Sequence, residues 1–226
     1  MRRAALALAI ASSGALHLAA QQPDVAARLN GRVPAEVVPA VAGVAASAAS
    51  RGLPVEPLIQ KAIEGGAKGR PAQQVIAAVR ALADQLGAAS GALRSGGFDH
   101  PDADLVEGGA YALGAGLSVR QVQHLARASR PPYEPALTLR VAGTLKALGV
   151  PPKNTLDLVE GLINAGGSPS ELLDLPSEVQ AGVAHGETPA QAADGLARAA
   201  AHAPGSGPPG GVPPGQAKGH GNPHKP

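Results

Sequence analysis

The chain has 226 residues, with 19 Lys and Arg against 17 Asp and Glu, no Cys, no Trp, one Phe and two Tyr. The absence of Cys excludes disulfides, thiolate metal sites, a Cys nucleophile and a lipid-modified Cys. Four of the basic residues lie near the termini, at Arg2, Arg3, Lys218 and Lys225. The remaining body has 15 basic residues (19 minus 4) against 17 acidic ones, which excludes the basic footprint of a nucleic-acid-binding protein.

Residues 1–20 have the pattern of a secretory signal peptide, with two Arg, an apolar run over 4–11 and then small residues. The run is too short to cross a bilayer as a helix. Cleavage is expected after Ala20, with residues 13–15 as the alternative site. We therefore expect a periplasmic or secreted protein that has no transmembrane segment after cleavage. An Ala-rich N-terminal helix that stays attached is the competing interpretation.

The clearest helix pair lies at residues 52–86, where a Gly-rich turn separates two amphipathic segments. The apolar residues of the second segment fall four, three and four positions apart, at Val75, Val79, Leu82 and Leu86. This spacing places them on one face of an α-helix. Pro is favoured at a helix start and Gly at a helix end, so the helix is predicted to start near Pro71 and to stop at Gly87.

A short phrase recurs along the chain: an apolar pair, a Glu, a Gly and then small or apolar residues. Its copies occupy residues 62–67, 105–110 and 158–163, and they lead to turns at 69–71, 116–118 and 167–169. The Glu residues of successive copies are 43 and 53 positions apart (107 minus 64, 160 minus 107). This irregular spacing predicts degenerate helix-turn-helix repeats in a short α-solenoid-like array, with a non-repetitive helical bundle as the alternative.

The predicted fold class is all-α, with one helical domain over residues 21–202. Residues 87–97 contain small residues and Gly, and they are predicted to be a loose segment and a candidate hinge. Asp99 is expected to cap the next helix, and Ser168 and Thr188 start capping-box patterns. A short helix is expected to restart at Pro176. Residues 203–226 are rich in Pro and Gly and are predicted to form a disordered tail.

These helix pairs, with their Gly-x-Pro turns, resemble helical-repeat scaffolds, the tetratricopeptide and HEAT types among them. The chain lacks the Trp, Tyr and Phe signature of the tetratricopeptide repeat. The resemblance is therefore one of architecture, and it implies no particular function.

Glu64, Glu107 and Glu160, the acidic residues of the recurring phrase, are the first candidate partner-binding residues. If the helices stack, these carboxylates are expected to lie on one face, where they would bind a cation or a basic partner. The competing interpretation is that each Glu is solvated, and that the Gly after it permits the close approach of another helix.

A change of charge divides the second half of the chain. Residues 117–153 have six basic side chains against Glu134, a net charge of +5, while residues 154–197 have seven acidic and no basic side chains, a net charge of −7. Arg120, Arg127 and Arg130 belong to the basic segment and are the second set of candidate partner-binding residues. The pattern predicts either a two-signed surface that selects a partner or sets self-association, or two segments that pack together and neutralise each other.

The sequence contains none of the common catalytic motifs: it has no HExxH, no Walker loop, no GxSxG and no dinucleotide fingerprint. The His residues of the body have no helical pairing, and only His220 and His224 of the tail are candidates for weak metal binding. Phe98, Tyr111 and Tyr133 are expected to anchor the core, with a place in an interface as the alternative for each.

Together these patterns predict an exported, non-enzymatic helical scaffold that binds a protein or peptide partner through a helix-lined surface. No cofactor, metal site or nucleic-acid partner is expected. The alternative is a structural or cell-envelope-associated protein that is tethered by its Pro/Gly-rich tail.

Overall fold

A computed structural model of the chain describes residues 22–202, with side chains from Val25 onwards. This part of the chain forms ten α-helices and no β-strand, so the predicted all-α class is confirmed for it. The helices are α1 (Gln22–Leu29), α2 (Val37–Ser50), α3 (Glu56–Ala67), α4 (Ala72–Ser95), α5 (Ala103–Gly114), α6 (Val119–Ala128), α7 (Pro135–Ala147), α8 (Pro152–Asn164), α9 (Pro169–Ala184) and α10 (Pro189–Ala201). The predicted signal peptide at 1–20 and the predicted tail at 203–226 lie outside the described residues.

The helices pack in a regular order along the chain. Within residues 22–202, each helix contacts the next one and, with one exception, also the next but one. We call the odd-numbered helices the odd row and the even-numbered helices the even row. The exception is the pair α3 and α5 of the odd row, which have no extensive contact although both pack on α4.

Five of the connections between helices are four residues long. In the connection between α5 and α6, Gly116 has a φ of +100°, a left-handed conformation that Gly adopts without strain. The N–H of Gly116 donates to the carbonyl oxygen of Leu113, and the N–H of Leu117 donates to the carbonyl oxygen of Ala112. These two hydrogen bonds form a Schellman motif at the C-terminus of α5. Leu117 is buried and Ser118 caps α6, so a single short turn ends one helix, returns to the core and starts the next helix.

The helix caps confirm two of the predicted start positions and correct a third. The capping boxes at Ser168 and Thr188 are both present. The cap predicted at Asp99 is wrong, because α5 begins later and Asp102 Oδ1 accepts a hydrogen bond of 2.8 Å from the N–H of Leu105. His100 precedes a Pro, which disfavours the helical conformation at that position and delays the helix start.

The helix stop predicted at Gly87 is wrong, because α4 continues as a helix through Ser95. The helical spacing of buried residues continues from Leu86 past Gly87, at Ala89, Ser90 and Leu93. Burial of this stripe offsets the roughly 1 kcal/mol of helix propensity that each interior Gly costs. The hinge was predicted at 87–97 because this segment was expected to be irregular. Most of the segment is helical, since α4 runs through Ser95.

The helix restart predicted at Pro176 is also wrong, since α9 runs through this residue without a break. Pro has no N–H to donate to the carbonyl oxygen of Leu172, which weakens the helix there. Leu172, Leu175 and Val179 are nevertheless all buried on one face. Their common burial keeps both halves of α9 in one helix.

Small aliphatic side chains form the core, as the composition requires. Ala, Val and Leu supply nearly all of its buried side chains, and Tyr133 is the one buried aromatic among the described residues. In α2 the buried stripe is Val37, Val41, Ala45 and Ala48. Because such side chains bury little area each, stability depends on many close contacts between helices.

Candidate functional site

The break between α3 and α5 leaves a groove of ≈ 720 Å³ in the odd row. Its floor is α4, which contributes Ala78, Ala81, Leu82, Gln85 and Leu86. One wall is α3, with Pro57 and Lys61, and the other wall is α5, with Glu107, Ala110, Tyr111 and Gly114. Arg140 and Ala147 of α7 also line it. The volume lies within the range of about 300–1,000 Å³ that is typical of ligand sites.

Tyr111 is the largest side chain of the groove, and 47 % of it is exposed. Its ring lies against α7, where a Cβ added at Gly143 would be 2.6 Å from the ring atom Cδ1. Its hydroxyl is 3.4 Å from Thr144 Oγ1. Gly143 therefore provides the space in which the ring rests, and Tyr111 presents its other face to the groove.

The three aromatic residues expected in the core have different environments. Tyr133 is buried and its hydroxyl donates to the carbonyl oxygen of Gly167, while burial raises the pKa of its phenol. Phe98 is partly buried against the core. A place in the core is wrong for Tyr111, because its side chain is 47 % exposed and lines the groove.

Both cations that line the groove already have carboxylate partners. Lys61 Nζ is 3.1 Å from Glu64 Oε2, and Arg140 Nη2 is 3.5 Å from Asp104 Oδ1 and 3.8 Å from Glu107 Oε2. Burial raises the pKa of Glu107, and the positive charge of Arg140 opposes this. The groove therefore offers a ligand apolar surface and hydrogen-bonding groups rather than a strong net charge.

The structure does not bring the three Glu residues of the recurring phrase together. Glu64 is exposed, and hydrogen bonds from Lys68 and Lys61 lower its pKa to about 2. Glu107 lines the groove. Glu160 Oε1 is 2.8 Å from His124 Nε2 of α6, but the geometry is not that of a hydrogen bond. Each carboxylate thus has its own partner, and no two of them share an ion pair.

Gly residues in the first two copies of the recurring phrase lie where other parts of the chain come close, whereas a Cβ at Gly161 of the third copy would be an ordinary 3.9 Å from the carbonyl oxygen of Ala197. A Cβ at Gly66 would be 2.2 Å from the carbonyl oxygen of Arg32, and a Cβ at Gly108 would be 2.7 Å from that of Ala136. Backbone atoms cannot move away as a flexible side chain can. In the first two copies this geometry favours the interpretation that the phrase marks positions of close packing.

Arg120, Arg127 and Arg130 lie on α6 and just after it, and all three are exposed. Arg120 and Arg127 are about two helical turns apart, so they share one face. Within residues 22–202 none of the three has a carboxylate partner. They do not line the groove.

Of the six candidate residues predicted from the sequence, Glu107 alone lines the groove. The missed residues Tyr111 and Gly114 had a readable pattern, since they lie four and seven positions after the predicted Glu107, on one helix face. A Tyr beside a Glu on such a face indicates an exposed surface, but the scarcity of aromatic residues favoured a place in the core.

Several classes of site find no support in the described residues. No group of three or more His, Asp or Glu side chains within 22–202 is placed to hold a metal ion, and His220 and His224 lie outside this range. None of the ten described helices is both long and apolar enough to cross a membrane. Comparison of the chain with protein-family models, curated proteins and solved structures gave no match.

Proposed function

We propose that this protein is an exported, short α-solenoid-like scaffold that binds a peptide segment of a partner protein in the groove between α3 and α5. The observation that carries the proposal is the groove itself, a space of ≈ 720 Å³ where two successive helices of the odd row have no extensive contact. Helical-repeat scaffolds bind partners along surfaces that their stacked helices form.

The order of helix contacts supports the solenoid part of the proposal. In a solenoid each unit contacts only its neighbours in the chain. The extensive contacts within residues 22–202 follow this rule, because they join helices that are adjacent or one apart. The five four-residue connections fit the same architecture, since each turns one helix directly into the next.

The lining of the groove indicates the chemistry of the ligand. The floor and walls include Ala78, Ala81, Ala110 and Gly114, whose small size lets a peptide backbone lie close to the helices. Leu82 and Tyr111 provide apolar surface for an anchoring side chain, and the Gln85 amide provides a hydrogen-bond donor and acceptor. The best fit is a segment with one large apolar side chain flanked by polar residues, because ligand sites combine a mostly apolar lining with a few polar groups that fix orientation.

A pair of matched variants on α4 tests the groove. Ala81 and Ala77 are both exposed on this helix, but Ala81 lines the groove whereas Ala77 does not. A displayed library of random peptides is selected on the wild-type chain, and the recovered peptides are measured by calorimetry. We expect Ala81→Phe to weaken their binding at least about tenfold, a loss of about 1.4 kcal/mol, and Ala77→Phe to leave it unchanged. Equal binding to both variants would exclude the groove as the peptide site.

Export is a separate part of the proposal, and it rests on the signal-peptide pattern of residues 1–20. Expression of the full chain in a bacterial host with a secretory pathway tests it. N-terminal sequencing of the exported material is expected to start at Gln21. Retention of Met1 in all of the recovered protein would contradict export.

A further inference from the structure

Two sets of charged side chains have no ion-pair partner within residues 22–202. The basic surface consists of Arg120, Arg127 and Arg130. The acidic surface consists of Asp174 and Glu178 of α9 and of Glu187, which follows this helix. All six residues are exposed. The two surfaces thus have opposite charges in equal number.

Packing within one copy does not neutralise these charges, although the two segments are neighbours. Helix α6 contacts α8, and α7 contacts both α8 and α9. The one ion pair between Lys or Arg of the first segment and a carboxylate of the second, within residues 22–202, is Lys153 with Asp157 at 2.5 Å, and His124 Nε2 lies 2.8 Å from Glu160 Oε1. Arg140 instead pairs with carboxylates of α5. The ion pairs formed within one copy therefore include none of the six residues of the basic and acidic surfaces.

Each charged surface also has an exposed apolar residue. Val119 is 44 % exposed, and it lies within about 100° of Arg120 and Arg127 around α6. On α9, Leu173 is 52 % exposed beside Asp174, and Val183 is 41 % exposed near the end of the helix. Apolar groups surrounded by charged ones are typical of protein–protein contact surfaces.

We infer that the basic surface of one copy of this chain binds the acidic surface of a second copy. A second copy is the partner that the charges fit, because residues 117–153 have a net charge of +5 and residues 154–202 have seven acidic residues against Arg198, a net charge of −6. Opposite potentials also accelerate and orient such an encounter. The two surfaces differ, so the contact joins copies head to tail and leaves one surface free at each end. The product is an open-ended row of copies.

Sedimentation velocity on the full chain tests the inference through its salt dependence. At about 20 mM salt we expect species larger than the monomer whose size grows with protein concentration, and at about 500 mM salt we expect the monomer, since exposed charges are then screened. A chain that is monomeric at low salt up to high micromolar concentration would overturn the inference.

Charge reversal identifies the two surfaces. The triple variant Arg120→Glu, Arg127→Glu, Arg130→Glu is expected to be monomeric at low salt. The same result is expected for Asp174→Lys, Glu178→Lys, Glu187→Lys. Mixing the two variants restores opposite surfaces, so the mixture is expected to associate again in alternation. Failure of the mixture to associate, with each variant folded by circular dichroism, would contradict the pairing of these surfaces.

A matched control separates this contact from a general effect of net charge. Arg32, Arg70 and Arg80 are exposed and have no carboxylate partner within residues 22–202. Their reversal to Glu changes the net charge by the same amount as reversal of the basic surface. We expect this control to associate like the wild type at low salt. Loss of association in the control would assign the effect to net charge and overturn the inference.

Discussion

Helix α5 takes part in two junctions of the odd row that differ in how closely the helices approach. Towards α7 the junction is closed, because a Cβ at Gly108 would be 2.7 Å from the carbonyl oxygen of Ala136. Towards α3 the junction is open, and the facing side chains include Lys61 and Glu107. Helix α5, which has twelve residues, therefore contacts α7 closely at a Gly, while longer side chains lie between it and α3.

The difference shows how a chain with few aromatic residues can form both a core and a groove. A Gly on the contact face removes the spacing that a side chain imposes, so two backbones meet and exclude water. A charged side chain on the contact face stays hydrated, because the free-energy cost of its desolvation is larger than the free energy gained from the helix contact.

The largest effect is expected from leucines in the two environments. Leu139 of α7 is fully buried, whereas Leu82 on the floor of the groove is only partly buried. Leu139→Ala is expected to lower the free energy of unfolding by about 2–5 kcal/mol, since it leaves a cavity. Leu82→Ala is expected to cost less than about 1.5 kcal/mol, because little additional area becomes exposed. Urea denaturation measures both. Equal costs would mean that the groove is closed in solution.

A second contrast concerns glycines in the middle of helices. Gly108→Ala places its Cβ against backbone atoms of α7 and is expected to lower the free energy of unfolding by about 1–3 kcal/mol. Gly91 of α4 has open space around it, so Gly91→Ala is expected to raise the free energy of unfolding by up to about 1 kcal/mol. A stabilising Gly108→Ala, measured by the same urea denaturation, would show that α5 and α7 are not in backbone contact.

The smallest effects are expected from two carboxylates whose pKa shifts have opposite signs. Hydrogen bonds from Arg28 and Gln60 lower the pKa of Glu56 to about 2 from its ordinary value of 4.5. This contribution to stability is present above pH 4.5 and is lost as the pH falls towards 2. Glu107 has a raised pKa, so its contribution is present below pH 4.5 and is lost as the pH rises through the raised value.

At neutral pH, Glu56→Gln is therefore expected to lower the free energy of unfolding, and Glu107→Gln to leave it unchanged or raise it slightly. Both changes should stay below about 1 kcal/mol, because the two side chains are in part exposed to solvent. Thermal denaturation between pH 3 and 7 compares the variants with the wild type. A loss of stability in Glu107→Gln larger than that in Glu56→Gln would contradict the assignment.

Much of the local structure could be predicted from the sequence, because it follows from short-range patterns. The helix spacing of Val75 and Val79 and the capping boxes at Ser168 and Thr188 needed only neighbouring residues. The errors came where tertiary burial overrides a local signal. Gly87 and Pro176 are ordinary breakers of helices, but each lies in a helix whose buried face continues on both sides.

The groove was not predictable in the same way, since it arises where two helices of the odd row, α3 and α5, lack an extensive contact. The sequence around Lys61 and Tyr111 contains no pattern that would predict a separation of α3 and α5 where both helices pack on α4. The charge pattern at residues 117–197 was visible in the sequence. Whether those charges neutralise each other depended on which side chains the packing brings into contact.

The tyrosines allow the most direct test of the central claim, that the groove is the surface which binds a peptide. The chain has two Tyr and no Trp, so selective labelling of Tyr rings gives one NMR reporter in the groove, Tyr111, and one in the core, Tyr133. On addition of a peptide selected on the wild-type chain, the ring signals of Tyr111 are expected to shift and those of Tyr133 to stay in place. Saturable binding that leaves the signals of Tyr111 unmoved would contradict the account.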